Sequence, residues 1–400
     1  MVSLASHVRD VNLLRVAMLT WEYPPRIVGG IARHCEGLAR ALVQQGHEVH
    51  IFTLDFPGAP DYEEKGGIRI YRTRSEVGHP NFLTWVLLFN HFIEKRMAGV
   101  SQLVDFDLLH VHDWLTAPVG ISFRHFAKKP LVFTAHSTEH GRSGLHIPDS
   151  FTIDGLEWWS TYEASKIIVT SGSMKGEVCG HFHVSDNKVE IVPNAIDLAS
   201  YEGSVDKWAV RARWGIQPHE KMVLCVGRLV PQKGIEYLIH AVPIMARRRP
   251  ETKFIIVGDG WYRDHLEYIA NTSGQRWRIT FTGFISDWDL VALTKSADAM
   301  VVPSIYEPFG IVALEGMAAG VPVVASQVGG LAEFIEHDRT GVLVYPRNPE
   351  SIAWGIDHVL SNSGHAEWLV KNAREVVHKT YSWEAVAKKT ASVYKEVVGK

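Results

Sequence analysis

The sequence predicts an α/β protein with two doubly wound parallel sheets. Its 400 residues are enough for more than one domain. Short apolar runs alternate with longer amphipathic segments, and an irregular polar stretch at 193–208 interrupts this alternation once. Apolar runs without polar alternation are typical of strands covered on both faces. Strand–helix–strand order indicates parallel pairing with right-handed crossovers.

The elements before the interruption follow from these apolar runs. Helical patterns separate the runs, at 30–45, 115–126 and 173–181 among others. The predicted strands are 16–19, 49–53, 108–111, 131–134, 167–170 and 189–192. The apolar run at 82–93 is too short to span a bilayer and is broken by Asn90 and His91.

The same alternation restarts after the interruption. Helical patterns occur at 235–247, 290–296 and 309–319. The predicted strands are 222–226, 254–257, 279–281, 299–302, 321–325 and 342–344. Ligands of doubly wound sheets bind at the carboxyl ends of the strands. With two such domains, we expect these ends to face each other across a cleft.

Composition excludes several classes of protein. Lysine and arginine (41) nearly balance aspartate and glutamate (44), which disfavours a protein that covers a nucleic-acid backbone. The three cysteines form no CxxC pair, as in proteins of a reducing compartment. Charged and polar residues at 9–12 interrupt any apolar leader. We therefore expect a cytoplasmic protein with neither a nucleic-acid partner nor a transmembrane segment.

Two glycine-containing loops are candidate anion sites. Gly29 and Gly30 follow the first strand and open a helix, whose free amides favour a negative group. The loop 227–234 follows the first strand of the second half and contains Arg228 and Lys233. Two cations in one short loop suit a diphosphate, although a surface salt bridge is the ordinary role of either cation alone.

The segment 303–315 is the most specific motif. Glu307 lies in the loop after a predicted strand, and Glu315 lies about two turns into the following helix. Both carboxylates suit the hydroxyl groups of an extended ligand. Helix capping is the alternative role of Glu307. The apolar neighbours of Glu315 make an unpaired carboxylate costly, which favours a functional partner there.

Two other sequence motifs do not support ligand binding. The stretch 257–260 begins like a dinucleotide-binding fingerprint, but Arg263 occupies the position of its last glycine, which removes the main support for NAD binding. The Asp105-Phe106-Asp107 sequence precedes a strand, at the end remote from the ligand edge. No set of histidines and carboxylates has metal-ligand spacing, so we predict neither a required metal nor another cofactor.

The ordered set of motifs resembles glycosyltransferase family 4, which comprises retaining enzymes of GT-B fold. The glycine pair, 227–234, 257–260, 307–315 and 325–330 occur in the family's order, and 381–394 is similar to its closing helix. The resemblance covers nearly the whole chain. It implies a Rossmann-like acceptor domain at 1–200, onto which a helix at about 382–400 packs back. A Rossmann-like nucleotide-sugar domain follows at 201–381.

The resemblance also implies side-chain roles. Arg228 and Lys233 would bind the donor diphosphate and stabilise its departure. Glu315 would hold the nucleotide ribose, and Glu307 a hydroxyl of the donor sugar. His136, at the end of a predicted strand, resembles the family's histidine near the C6 hydroxyl of that sugar.

The resemblance implies further site residues, most of which would act through their backbone atoms. The glycine pair would lie against the phosphate. Asn194 resembles an asparagine near the cleft, although asparagine after proline is also a common turn residue. Backbone atoms at 283–286, including Ile285, would read the base. The amides that would help bind sugar and phosphate are those of Phe309, Gly310 and Ile311.

The implied substrate is a nucleotide sugar, with ADP- or UDP-glucose favoured. The stretch 20–25 resembles the opening of glycogen and starch synthases, but Ile27 stands where those enzymes often have lysine. Despite this difference, we expect an α-glucan synthase. The alternatives are a transferase that forms trehalose, sucrose or a lipid glycan, a nucleotide-sugar epimerase and a non-catalytic sugar-nucleotide-binding protein.

Overall fold

The computed structural model describes residues 13–75 and 77–399. The sequence signal at 9–12 lies outside these residues. The described chain divides into two compact units. Unit 1 comprises the residues up to Thr170, Met174–Pro193 and those from Trp383 onward, and unit 2 comprises Ser171–Ser173 and Asn194–Ser382.

Unit 1 contains an eight-stranded sheet among the residues described. Its strands are β1 (Arg15–Leu19), β2 (Glu48–Leu54), β3 (Tyr62–Lys65), β4 (Ile68–Thr73), β5 (Leu108–His112), β6 (Leu131–Ala135), β7 (Lys166–Val169) and β8 (Val189–Ile191). Their order is β3-β4-β2-β1-β5-β6-β7-β8. All neighbours pair in parallel except β3, which is antiparallel to β4. The strands predicted in this half overlap β1, β2 and β5–β8.

The helices of unit 1 cover this sheet. They are α1 (Gly30–Gln44), α2 (Phe82–Ser101), α3 (Ala117–Ala127), α4 (Glu139–Ser143), α5 (Ser150–Glu163), α6 (Gly172–Phe182) and α15 (Trp383–Val398). The last helix packs on α1, where Gly37 makes room: a Cβ on Gly37 would lie 2.1 Å from Trp383 Cε2. It also reaches the sheet, since the Tyr394 hydroxyl lies 2.6 Å from His110 Nδ1.

Unit 2 has a six-stranded parallel sheet within the described residues, ordered β11-β10-β9-β12-β13-β14. The strands are β9 (Lys221–Val226), β10 (Thr252–Val257), β11 (Ile279–Gly283), β12 (Ala299–Val302), β13 (Val323–Ser326) and β14 (Val342–Val344). The helices are α7 (Lys207–Arg213), α8 (Ile235–Arg248), α9 (Arg263–Thr272), α10 (Asp287–Ser296), α11 (Ile311–Ala319), α12 (Leu331–Phe334), α13 (Pro349–Ser361) and α14 (Ser363–Thr380). Each strand predicted in this half overlaps an observed strand.

The α/β class and the two parallel sheets are confirmed. The chain enters unit 2 at Asn194 rather than at 201, because Ile196 and Tyr201 belong to the apolar core of that unit. The apolar cluster of unit 1 and the two apolar clusters of unit 2 lie between the sheets and their helices, as the buried strands require.

The sequence analysis missed β3, β4 and the length of α2. The β3 strand is polar and mostly exposed, as suits the edge of a sheet. In α2, Asn90 interrupts the apolar run, and its side chain is buried with both polar atoms hydrogen-bonded. Its Nδ2 donates to the carbonyls of Val86 and Leu115, both at 2.7 Å, and its Oδ1 accepts from the Val119 amide at 3.1 Å. A polar residue within the apolar run thus ties α2 to the start of α3.

Candidate functional site

In unit 2, glycines let the loops at the carboxyl ends of β9 and β12 touch. Gly234 has φ +62°, and a Cβ there would lie 2.1 Å from the Pro303 carbonyl oxygen. The Ile305 amide donates to the Gln232 carbonyl at 2.9 Å. Any larger residue at 234 would separate the two loops. The spacing of the 227–234 motif therefore serves this close approach.

The contact brings together two predicted site residues. Lys233 Nζ donates to Glu307 Oε2 at 2.6 Å, with side chains 22% and 10% exposed. The Ser304 hydroxyl donates to the same oxygen at 2.8 Å. A charge-assisted pair with little solvent around it holds both groups in fixed positions. The site therefore presents an ammonium and a carboxylate side by side at one sheet edge.

Arg228 differs from Lys233 in its surroundings. Its side chain is exposed, and it makes no ion pair with any side chain in the described part of the chain. Its backbone is held on both sides, because the Gly227 amide donates to the Val257 carbonyl at 3.0 Å and the Leu229 amide to the Asp259 carbonyl at 2.9 Å. A fixed backbone with an unpaired guanidinium is suited to an incoming anion.

The failed dinucleotide motif also has a structural role. A Cβ on Gly258 would lie 2.0 Å from the Gly227 carbonyl oxygen, and one on Gly260 would lie 2.4 Å from the Leu229 carbonyl oxygen. Both glycines therefore let the loop after β10 pack on the loop after β9. The next helix, α9, begins at Arg263.

Glycines also fix the start of α11. Gly310 precedes the helix with φ +107°, and a Cβ on Gly330 would lie 2.6 Å from Phe309 Cα. The Phe309 ring is buried against Phe334 and Tyr381, with centroids 5.4 and 5.9 Å away. The first amides of a helix have no intrahelical acceptor, and its N-terminus is positive. The amides of Gly310 and Ile311 at this terminus are therefore placed to receive an anion.

The remaining predicted residues of unit 2 have different surroundings. Glu315 is buried in α11 at 8% exposure, and Asn194 is buried at 5% where the chain enters the unit. Ile285 follows β11 and packs partly against the core. The Gly283 carbonyl near it accepts from the Gly258 amide at 3.0 Å. The segment predicted to read the base is thus joined to the loop after β10.

In unit 1, the glycine pair is held by a residue to which the sequence analysis gave no role. The carboxylate of Glu22, which is 1% exposed, accepts from the amides of Val28 at 2.5 Å and Gly29 at 2.9 Å. Gly30 is the first residue of α1. Glu22 therefore shapes the loop that leads into the helix. Its position shortly after a strand, inside an otherwise apolar and aromatic stretch, is the signal that could have found it.

His136 lies just after β6, and its backbone amide donates to Asp113 Oδ1 at 2.7 Å. Burial lowers the pKa of His136 to about 4, so its ring is neutral at neutral pH. His112 Nδ1 lies 3.1 Å from His136 Nε2, and the His34 ring centroid is 4.7 Å from that of His136. The sequence analysis missed this grouping of histidines, because long stretches of chain separate them.

The Asp105-Phe106-Asp107 sequence lies where it was expected. Asp107 Oδ2 accepts from the backbone amide of Arg15, the first residue of β1, at 2.7 Å. Lys129 Nζ lies 2.7 Å from Asp105 Oδ1. Both carboxylates are thus engaged at the amino ends of strands. As for membranes, none of the described helices combines the length and the apolar character needed to cross one.

Family models match most of the chain. Residues 28–200 match the model described as Glycosyltransferase Family 4. Residues 206–376 match the model described as Glycosyl transferases group 1. These two ranges fall largely in unit 1 and unit 2 respectively.

Individual proteins agree with the family models. An uncharacterised glycosyltransferase of Methanocaldococcus jannaschii is 47% identical over 96% of this chain and 98% of its own length. A glycogen synthase of Mycobacterium tuberculosis is 33% identical over 95% and 94%. The solved structure of a sucrose-phosphate synthase from Thermosynechococcus elongatus superposes with a TM-score of 0.85 at 26% identity, covering 96% of this chain and 99% of its own.

Proposed function

The chain belongs to the glycosyltransferases and has their GT-B fold, and we propose that it is a retaining hexosyltransferase that uses a nucleotide sugar. The group transferred is glucosyl, from ADP- or UDP-glucose, and the acceptor is a sugar or a glucan. The name of the mycobacterial relative, a glycogen synthase, favours an α-1,4-glucan as the acceptor.

One observation carries the proposal: the Lys233–Glu307 pair, 2.6 Å apart, lies at the carboxyl ends of β9 and β12. This is the edge at which doubly wound sheets bind their ligands. Arg228 follows the same strand and has no ion-pair partner among the described side chains. Two cations with a neighbouring carboxylate suit a diphosphate joined to a hydroxyl-rich sugar.

Each residue has a role in this proposal. Arg228 and Lys233 hold the diphosphate and take up the charge that develops as it leaves. Glu307 accepts a hydrogen bond from a sugar hydroxyl, and Glu315 accepts from the ribose. The amides at 309–311, at the start of α11, add further donors to the phosphate and the sugar.

Residues outside this loop pair complete the assignment. Gly29 and Gly30 lie against the phosphate, and Asn194 lies near the donor. His136 acts as a neutral group at the sugar's C6 hydroxyl. Backbone atoms around Ile285 contact the base, which is why side-chain identity there does not specify the nucleotide.

We propose front-face substitution with retention. Double displacement needs a carboxylate beneath the anomeric carbon, and Glu307 is already held by Lys233 and Ser304. The acceptor oxygen instead forms the new bond on the face from which the diphosphate leaves, and a leaving phosphate oxygen takes the acceptor proton. Catalysis then consists of positioning and charge stabilisation, with no required metal.

A donor and acceptor panel tests this function. The protein is incubated with ADP-, UDP- and GDP-glucose, each with glycogen, glucose, fructose or a lipid acceptor, and the nucleotide and the glycoside are quantified. We expect nucleotide release that depends on the acceptor and yields an equal amount of glycoside. Conversion of the donor without an acceptor would indicate an epimerase. Binding without any release would indicate a non-catalytic protein.

A further inference from the structure

Three imidazoles of unit 1 converge on one point. They belong to His34 on α1, His112 at the end of β5 and His136 after β6. One ring nitrogen of each lies within 4.8 Å of the other two. His34 and His112 are buried, and His136 is partly exposed.

One nitrogen in this group has no role within the protein. His112 Nε2 is buried and has no hydrogen-bond partner among the described residues. Its neighbour on the strand, His110, uses both ring nitrogens, with Tyr394 Oη at 2.6 Å and Thr134 Oγ1 at 2.7 Å. Buried polar atoms are nearly always satisfied, so the orphan nitrogen points to a ligand that the fold does not supply.

We propose that His34, His112 and His136 form a site for a divalent transition-metal ion of the zinc class. Imidazole nitrogen suits Zn²⁺, Co²⁺ and Ni²⁺, whereas Mg²⁺ and Ca²⁺ prefer oxygen. Three histidines with one open position form a known type of open zinc site.

The distances are compatible with such an ion. Zinc–nitrogen bonds of about 2.0–2.1 Å in a tetrahedron place the ligand nitrogens about 3.4 Å apart. One ligand nitrogen of each histidine lies within 4.8 Å of the other two. Small rotations of the imidazole rings bring the nitrogen–nitrogen separations to the tetrahedral value.

The site has a consequence that rests on the proposed function. In the proposed function, His136 contacts the donor sugar, so a metal ion held by His136 competes with the donor. The ion is then an inhibitor that the donor displaces. Metal binding itself is independent of this role and is measured without turnover.

A second histidine group must be removed so that it does not contribute to metal binding in the test. His358 and His365 each place Nε2 2.8 Å from Asp338 Oδ1 on the surface of unit 2. We therefore use tag-free, EDTA-treated protein that carries His358→Gln and His365→Gln. Zn²⁺ is titrated by calorimetry, and Co²⁺ by its visible absorption.

We expect one equivalent of Zn²⁺ and a tetrahedral Co²⁺ spectrum. His34→Gln and His136→Gln each weaken binding at least about 100-fold, because each removes a ligand. His91→Gln, at an exposed position of α2, leaves binding unchanged. His136 is partly exposed, so its variant tests the site even where a buried substitution impairs folding. Absence of the Co²⁺ spectrum, or unchanged affinity in folded His136→Gln, overturns the proposal.

The inhibition experiment separates the two claims. Stoichiometric Zn²⁺ binding with inhibition that rising donor concentration relieves supports both the site and the proposed role of His136. The same binding without any inhibition supports the metal site and contradicts the placement of His136 at the donor.

Discussion

Replacing Lys233 with methionine removes the ammonium of the Lys233–Glu307 pair and keeps most of the alkyl stem. We expect kcat to fall about 10²–10³-fold, the usual loss when one preorganised group that stabilises developing charge is removed. Lys221→Met is the matched control. Lys221 begins the same strand, β9, at its opposite end and lies 3.5 Å from Asp298. Its variant keeps its activity within about twofold, since an exposed pair contributes little.

The stability cost of Lys233→Met is smaller than its cost in activity. Removing one partner of a fully buried pair costs about 3–5 kcal/mol, and of an exposed pair about 0–1 kcal/mol. Here Lys233 is 22% and Glu307 is 10% exposed, and the Ser304 hydroxyl still donates to the carboxylate at 2.8 Å. We therefore expect the free energy of unfolding to fall by about 1–2 kcal/mol.

The measurements are steady-state kinetics and urea denaturation of the same preparations. Adding Glu307→Gln removes the unpaired carboxylate, so the double variant regains stability but not turnover. A kcat of Lys233→Met within threefold of the parent protein would contradict a role of this ammonium in catalysis. So would a loss of activity that only follows the unfolded fraction.

Three further predictions concern packing and pH. Gly330→Ala places a Cβ 2.6 Å from Phe309 Cα, displaces the start of α11 and lowers kcat/KM at least about tenfold. Gly78→Ala has no effect on the same assay, because a Cβ there has no atom of the described residues within 4 Å apart from its chain neighbours. Asn90→Leu removes the side-chain partners of the Leu115 carbonyl and the Val119 amide and lowers the free energy of unfolding by about 2–4 kcal/mol; an unchanged urea midpoint contradicts this. Burial raises the pKa of Glu157 to about 8 from an ordinary value of 4.5, so the folded state keeps a proton that the unfolded state loses. Stability therefore falls as pH rises from 4.5 to 8, and Glu157→Gln flattens the profile of melting temperature against pH; parallel profiles would show that Glu157 is ionised in the fold.

The sequence predicted the parallel strands other than β4, because strands buried on both faces are continuous apolar runs, whereas arginines interrupt the apolar residues of β4. It missed β3, whose polar residues at 62–65 lie at the sheet edge and carry no such signal. In the sequence, Asn90 interrupts an apolar run. In the fold this side chain satisfies backbone groups between helices, and only the tertiary structure supplies its partners.

The candidate site was partly predictable for a similar reason. Residues after strands of one parallel sheet share an edge, so Arg228, Lys233 and Glu307 were expected there. That Lys233 and Glu307 form an ion pair depends on Gly234, whose missing side chain lets two loops touch. The histidine group was not predictable, because its members lie on three separate elements with no local spacing pattern.

We infer that the Lys233–Glu307 pair and Arg228 serve glycosyl transfer from a nucleotide sugar. The most direct test is NMR spectroscopy of the product formed from the preferred donor and acceptor, by the parent protein and by Arg228→Ala and Lys233→Met. We expect an α-glycoside from an α-linked donor, formed with one equivalent of nucleotide and nearly lost in both variants. A β-glycoside, or full product formation by the two variants, would contradict it.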